Sequence, residues 1–122
     1  MDSKTLMLDW FKKWETGDFH NLSISDSFCH TSPYGTIKGK RNYLNIVASN
    51  TDKFLGYSFK IHDILADKEI SCVRYTAIRK DFKLDVTEWH FSSDGLIDKI
   101  LAYYTPHESI TDFKGKKTID AS

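Results

Sequence analysis

Residues 59–78 read FKIHDILADKEISCVRYTAI and decide the fold, because they contain two strands joined by a short polar turn. From Tyr57 onward apolar and polar side chains alternate, which is the pattern of a strand with one buried and one wet face. Asp67 and Lys68 interrupt this alternation as a turn, and residues 70–79 predict the second strand. An antiparallel hairpin is therefore expected in the middle of the chain.

The alternation continues toward the C-terminus. Residues 82–86 repeat the apolar–polar pattern, but the phase reverses at Glu88, so that Trp89 and Phe91 take the apolar positions. Such a reversal predicts a bulge that bends the strand. After a polar hairpin loop, residues 96–105 predict the last strand.

The N-terminal residues carry helical periodicity instead. Apolar side chains recur at three- and four-residue spacing, which predicts a core-facing helix capped by Asp2 or Ser3 and ending at about Thr16, before Gly17. The apolar stripe consists of Leu6, Met7, Trp10, Phe11 and Trp14. A stripe of this bulk must pack against another apolar surface.

Between this helix and the central hairpin, three further elements are expected. Residues 18–25 fit a short helix or turn, and residues 26–32 fit a strand. Pro33, Tyr34 and Gly35 end that strand, because proline lacks the N–H donor that a central strand needs. Residues 40–52 again show helical periodicity, and the two lysines around Gly39 fit a solvated turn.

Helices thus precede a run of hairpin-connected strands, without internal repeats or linkers. This order predicts an α+β fold in which a curved, mostly antiparallel sheet wraps around the N-terminal helices. We expect one domain over residues 1–122, with its core at about 4–106 and a polar, fraying tail at 107–122.

Composition limits the classes of partner. Seventeen basic residues balance seventeen acidic ones, so the chain lacks the positive surplus that nucleic-acid binding requires. The first residues mix charges with apolar side chains, unlike a secretory leader, and no apolar run is long enough to span a membrane. With Cys29 and Cys72 as reduced thiols, a soluble cytoplasmic protein is expected. The aromatic share of 14% suits either a dense core or an apolar pocket wall.

Three passages resemble the NTF2-like superfamily and, within it, the SnoaL-like proteins related to polyketide cyclases and ketosteroid isomerases. They are SFCHTSPYGTIKGKRNYLNIV, FKIHDILADKEISCVRYTAI and WHFSSDGLIDKILAYYTP, and with the first helix the resemblance covers roughly residues 4–106. It implies a cone-shaped sheet with an internal pocket for a small apolar ligand, and homodimers formed through the outer sheet face. It also implies action without a cofactor. Fold alone does not define the reaction.

Two enzyme classes within this resemblance are disfavoured, because this chain lacks their catalytic carboxyl groups at the corresponding positions. The base of ketosteroid isomerases directly precedes the turn proline, where this chain has Ser32, and their protonated aspartate would fall near Thr87. Limonene-type epoxide hydrolases are similar at a central arginine, which corresponds to Arg74. Their water-activating carboxylate lies two residues further on, where this chain has Thr76. Arg74 could still bind an anionic or carbonyl oxygen.

His30 is the main candidate for chemistry. Strand alternation places Phe28, His30 and Ser32 on one face, and the resemblance implies that this face lines the pocket. A histidine there is a candidate general acid or base, although a core histidine bonded to the backbone fits the same position. Glu88 and His90 share a face of their strand and could together form a base oriented by a carboxylate. Because Trp89 and Phe91 fit the inward face better, the pair is expected to point outward, to solvent or to a dimer partner.

The remaining candidates are aromatic or polar neighbours of this pocket. One of the last-strand tyrosines should face inward, and we assign Tyr103 to hold a substrate oxygen together with Arg74. The predicted pocket residues are Trp10, Trp14, Phe28, Ser32, Tyr34, Tyr57, Phe59, Trp89 and Phe91. The histidine spacing does not fit a metal site. Two functions stay open: an isomerase, cyclase or lyase acting on an apolar oxygenated substrate, and a non-catalytic binding or dimerisation domain.

Overall fold

The computed structural model describes residues 2–106, so the predicted polar tail at 107–122 lies outside the described residues. Helix α1 spans Ser3–Thr16, and a short 3₁₀ helix covers Phe19–Asn21. The other elements are β1 (Ile24–Ser32), β2 (Gly35–Lys38), α2 (Lys40–Ala48), α3 (Thr51–Phe54), β3 (Ser58–Ala66), β4 (Ile70–Arg79), β5 (Phe82–Ser93) and β6 (Leu96–Tyr103). Among these helices, none has the length and apolar character needed to cross a membrane.

The six strands form one curved, unclosed sheet in the order β2-β1-β6-β5-β4-β3. All neighbours pair antiparallel except β1 and β6, which run parallel. The predicted α+β fold with a mostly antiparallel sheet is confirmed. Strand β2 was not expected, because residues 35–38 follow the Pro33 turn so closely that they fit a loop.

Helix α1 begins and ends as its sequence predicts. The Asp2 carboxylate accepts a hydrogen bond from the Thr5 N–H, and Gly17 ends the helix in the left-handed conformation at φ 80°. The helix contacts β3, β4, β5 and β6, so its apolar stripe lies across the inner face of the sheet. The whole predicted stripe is buried: Leu6, Met7, Trp10, Phe11 and Trp14.

Strand β5 differs from its prediction in one respect that bears on the site. Its burial alternates without a break from Phe82 to Ser93, and its pairing with β4 is continuous from Ile70–Phe91 to Arg79–Phe82. The bulge predicted at Glu88 is therefore wrong; β5 has its irregularity between Phe91 and Ser92, against β6. As a result, every second residue of β5 up to Ser92 faces the helices.

The turn after β5 is tighter than the predicted four-residue loop. Ser93 pairs directly with Leu96, which leaves Asp94 and Gly95 as the two turn residues. Both have positive φ, 52° and 77°, as a type I′ hairpin turn requires. This turn fixes the register of β6 against β5 and so determines which residues of β6 face inward.

Candidate functional site

A cavity of about 190 Å³ lies between α1 and the inner face of the sheet. It is lined by Trp10, Phe11, Trp14, His30, Tyr43, Lys53, Phe54, Tyr57, Phe59, Tyr75, Ala77, Leu84, Val86, Glu88 and Tyr104. Pockets for drug-sized ligands measure roughly 300–1,000 Å³. The space is therefore suited to a small molecule with few non-hydrogen atoms.

Glu88 is the acidic residue of the cavity wall, although it is only 5% exposed. Its Oε2 accepts a hydrogen bond of 2.5 Å from the Tyr75 hydroxyl, and its Oε1 lies 2.9 Å from Nε2 of His90. Burying a carboxylate costs free energy unless its oxygens are hydrogen-bonded. These two partners provide that compensation.

The sheet brings the three side chains together. Glu88 and His90 are two residues apart on β5 and therefore share its inner face. Tyr75 is on β4, where Val73 is the direct cross-strand neighbour of Glu88, so the tyrosine reaches the carboxylate diagonally. The predicted outward orientation of Glu88 and His90 is wrong, because the alternation of β5 never reverses.

Ionisation follows from burial and from these hydrogen bonds. Burial by itself raises the pKa of Glu88, but the hydrogen bonds from His90 and Tyr75 outweigh it and hold the pKa below the ordinary value of 4.5. Burial and the nearby Glu88 carboxylate raise the pKa of both Tyr43 and Tyr75, and burial raises that of Tyr104. At neutral pH the cavity thus has a carboxylate beside neutral phenols.

His30 lies on the cavity wall, as its strand phase predicts. Its ring stacks on Tyr43 with centroids 5.6 Å apart. Burial lowers its pKa, and the opposing effect of the Glu88 carboxylate is smaller, so the imidazole is neutral at neutral pH. A neutral imidazole can donate one hydrogen bond and accept another.

The predicted aromatic wall is present in part. Trp10, Trp14, Tyr57 and Phe59 line the cavity as expected. Phe28 is fully buried and packs against Trp10 and Tyr43, so it supports the wall from behind.

Two other predicted pocket residues lie next to the cavity. Ser32 accepts a hydrogen bond of 3.2 Å from the Tyr34 N–H and also hydrogen-bonds with Tyr104. Tyr34 contacts the Tyr104 ring, with centroids 5.8 Å apart. Both residues therefore position Tyr104, which is itself a lining residue.

Trp89 and Phe91 do not face the cavity, contrary to the prediction. Trp89 is 41% exposed on the outer face, between its cross-strand neighbours Cys72 and Leu101. The Phe91 ring lies under the Lys99 ammonium, 4.5 Å away. The aromatic side chains of Trp89 and Phe91 suggested that they face the core. The unbroken alternation of β5 instead turns Glu88 toward the core and these two residues outward.

Arg74 and Tyr103 also lie on the outer face, so their predicted positions in the pocket are wrong. Arg74 alternates with the buried Tyr75 and pairs with the Asp63 carboxylate at 2.7 Å. Tyr103 is 57% exposed, and the inward tyrosine is Tyr104. Tyr104 continues the inward phase of the buried Ile100 and Ala102, so the alternation of β6 favours it over Tyr103.

The predicted site omits five polar residues of the cavity: Tyr43, Lys53, Tyr75, Glu88 and Tyr104. For Glu88 a signal existed, since the period-two pattern of residues 82–86 continues through positions 88, 90 and 92 if polar side chains are allowed to face inward. Within residues 2–106, no three His, Cys, Asp or Glu side chains are grouped closely enough to hold a metal ion.

No protein-family model and no curated protein matches the chain, but solved structures share its architecture. An NTF2-like protein of unknown function from Cytophaga hutchinsonii aligns with a TM-score of 0.72 and 16% identity, over 84% of this chain and 89% of that chain. An LEH-like epoxide hydrolase from M. tuberculosis aligns at 0.70 and 18%, over 83% and 80% of the two chains. A candidate isomerase of the SnoaL-like family from Agrobacterium tumefaciens aligns at 0.67 and 14%, over 83% and 95%.

The architecture is thus that of an α+β cone with an internal cavity. These alignments identify it as the NTF2-like fold, which confirms the predicted resemblance at the level of the fold. At identities of 14–18% the alignments carry no residue-level assignment of function. The chemistry must therefore be argued from the side chains of this cavity.

Proposed function

We propose that this chain binds a small apolar, oxygenated molecule in the cavity and converts it by cofactor-independent proton transfer, as an isomerase, cyclase or lyase. The observation that carries the proposal is the ionised Glu88 carboxylate in the wall of an otherwise aromatic cavity. A buried carboxylate beside neutral hydrogen-bond donors is an arrangement that supports enolisation of a carbonyl compound.

In this mechanism Glu88 takes a proton from the carbon next to a substrate carbonyl. The C–H electron pair forms a carbon–carbon double bond, and the carbonyl π electrons move to oxygen. The neutral hydroxyl of Tyr104 or Tyr43, or the N–H of His30, donates a hydrogen bond to the resulting oxyanion. In a β,γ-unsaturated carbonyl compound the enolate is conjugated, and return of the proton to the γ carbon gives an isomer. In a substrate with a leaving group on the β carbon, the enolate re-forms the carbonyl and a double bond as that group departs with its bonding electrons, which gives a lyase product.

The structural neighbours are consistent with small-molecule chemistry in this fold, since one is an LEH-like epoxide hydrolase and another a candidate isomerase. The size of the cavity limits the substrate further. At about 190 Å³ it favours a molecule smaller than a polycyclic steroid or polyketide.

Glu88→Gln is expected to reduce proton exchange by at least about 100-fold, because the amide cannot accept the proton. The measurement is loss of the α-proton signals of small ketones and aldehydes in D₂O, followed by NMR with wild type and variant. Glu69→Gln is the matched control, since it makes the same chemical change at an exposed turn residue. Exchange that is unaffected by Glu88→Gln would contradict the role of this carboxylate.

A non-catalytic binding domain is the second candidate, and one observation favours it. Both oxygens of Glu88 already accept hydrogen bonds from the protein, which stabilises the carboxylate and weakens it as a base. Ligand binding without any proton exchange in the same assay would support this function.

We also propose a cytoplasmic homodimer that pairs through the outer face of the sheet. Four large apolar side chains are exposed there: Leu65, Ile70, Trp89 and Tyr103. Exposed apolar groups on one face are typical of an interaction surface. The free thiols Cys29 and Cys72 fit a reducing compartment.

The dimer proposal predicts twice the monomer mass of 14.1 kDa in light scattering coupled to size-exclusion chromatography. Trp89→Lys should shift the mass to that of the monomer, because it places a charge in the middle of the paired faces. Lys12→Glu, a charge change at an exposed position of α1 on the opposite side of the sheet, should leave the mass unchanged. A monomeric wild type would contradict the proposal.

A further inference from the structure

The cavity wall is mostly made of aromatic rings, which have negative electrostatic potential on their faces. Nine of the lining residues are Phe, Tyr or Trp: Trp10, Phe11, Trp14, Tyr43, Phe54, Tyr57, Phe59, Tyr75 and Tyr104. Several are held in fixed edge or stacked contacts, such as Trp10 with Trp14 at 5.6 Å and Phe59 with Tyr75 at 5.7 Å. The wall is therefore a preorganised aromatic cage.

The cage contains one carboxylate, Glu88, whose oxygens are held by Tyr75 and His90. His30 is neutral, as described above, and the tyrosine hydroxyls are neutral as well. His90 donates its Nε2–H to Glu88, while its Nδ1 is buried with no hydrogen-bond partner.

Of the lining residues, all within the described part of the chain, only Lys53 carries a positive charge. It is on the short helix α3 and only partly buried, and its Nζ lies 3.4 Å from Oδ1 of Asn50. The groups with the largest effect on the Glu88 carboxylate are His90, Tyr75 and His30, not this lysine. Glu88 is thus the acidic group of the cage, and its oxygens are held by the Tyr75 hydroxyl and the His90 ring rather than by Lys53.

We propose that the ligand of this cavity is a small organic cation, an amine or a quaternary ammonium compound with alkyl groups and an oxygen function. This inference rests on the proposed function that the cavity binds a small oxygenated molecule, to which it adds a positive charge. The aromatic faces attract the positive group through cation–π interactions, and Glu88 supplies the opposite charge. An anionic ligand would be repelled by both. A neutral ligand would gain neither the attraction to the aromatic faces nor the attraction to the carboxylate.

The inference also fits the proton transfer assigned to Glu88. A positive nitrogen next to the reacting carbon stabilises the negative charge that develops there when the proton leaves. The charge that favours binding would therefore also favour the reaction.

The test compares choline with its neutral carbon isostere, in which a tert-butyl group replaces the trimethylammonium group. The two have nearly the same shape, so shape and hydrophobic burial cancel in the comparison. Binding is measured by tryptophan fluorescence in the Trp89→Phe variant, in which Trp10 and Trp14, both cavity residues, are the only tryptophans left. We expect choline to bind about tenfold more tightly than the isostere.

Two variants show whether Glu88 causes this preference. Glu88→Gln should bring the ratio of the two affinities close to one, whereas Lys53→Gln should raise it, because the lysine in the cavity wall repels a cation. The Lys53 variant alters a partly buried residue of a short helix, so it keeps the test valid if Glu88→Gln unfolds.

Equal binding of the two probes in wild type would overturn the cation inference and leave the small-molecule function standing. No binding of either probe would overturn it as well, and the proton-exchange assay would then decide the proposed function independently. A preference for choline that is unaffected by either variant would show that Glu88 is not the countercharge and would also overturn the proposal.

Discussion

His90→Leu is expected to lower the free energy of unfolding by about 3 kcal/mol at neutral pH. The substitution fills a similar volume with an apolar side chain but removes the hydrogen bond of 2.9 Å to Glu88. The carboxylate stays buried with Tyr75 as its remaining partner. A buried carboxylate that loses a hydrogen-bond partner is among the most destabilising results of a single substitution.

The effect should depend on pH in a defined direction. In wild type the pKa of folded Glu88 lies below its unfolded value of 4.5, so its contribution to stability is present above pH 4.5 and is lost as pH falls through the folded pKa. Without His90, burial raises the folded pKa above the unfolded one. The carboxylate then destabilises the variant at neutral pH, and this penalty decreases as acid protonates it. The difference between the two proteins should therefore be larger at about pH 7 than at about pH 4.

Urea unfolding at the two pH values measures both quantities. The control is the double variant Glu88→Gln/His90→Leu, in which no buried charge is left. It should be more stable than His90→Leu alone at neutral pH and should lose the difference between the two pH values. If the double variant is no more stable, the destabilisation comes from lost packing around His90, which contacts the Trp10 and Phe11 rings.

The sequence predicts most elements of the fold because their patterns are local. The apolar stripe of α1 and the alternation in β4 identify a helix over residues 3–16 and a strand over residues 70–79. The parallel pairing of β1 with β6 joins segments far apart in the chain, and no local pattern specifies it. Strand β2 is only four residues long, too short for a period to be recognised.

The candidate site could be predicted only where strand alternation or helical periodicity fixes the direction of a side chain. His30 was placed correctly because alternation within β1 fixes its face, and Trp10 and Trp14 because helical periodicity does. The inward position of Glu88 was not predicted, because a carboxylate normally avoids burial. Its burial is possible here only because other side chains hydrogen-bond its oxygens. One partner, Tyr75, is on a different strand, and such long-range compensation leaves no trace in local hydrophobicity.

Trp10→Ala is expected to lower the free energy of unfolding by about 3–5 kcal/mol, the range for deleting a buried large aromatic side chain. Trp10 is 5% exposed and its ring contacts those of Trp14, Phe28, Tyr43 and His90. It thus joins the helix to β1, β5 and α2. Because it also lines the cavity, its removal enlarges the cavity and leaves neighbouring rings without a packing partner. Urea unfolding at neutral pH measures the loss.

Leu8→Ala is the matched control, since it shortens an apolar side chain to alanine on the same helix. Leu8 is 41% exposed, on the side of α1 that faces solvent, so the expected change is below about 1 kcal/mol. Similar losses for the two would mean that α1 does not pack against the sheet as described, and the aromatic cage that depends on this packing would not exist either.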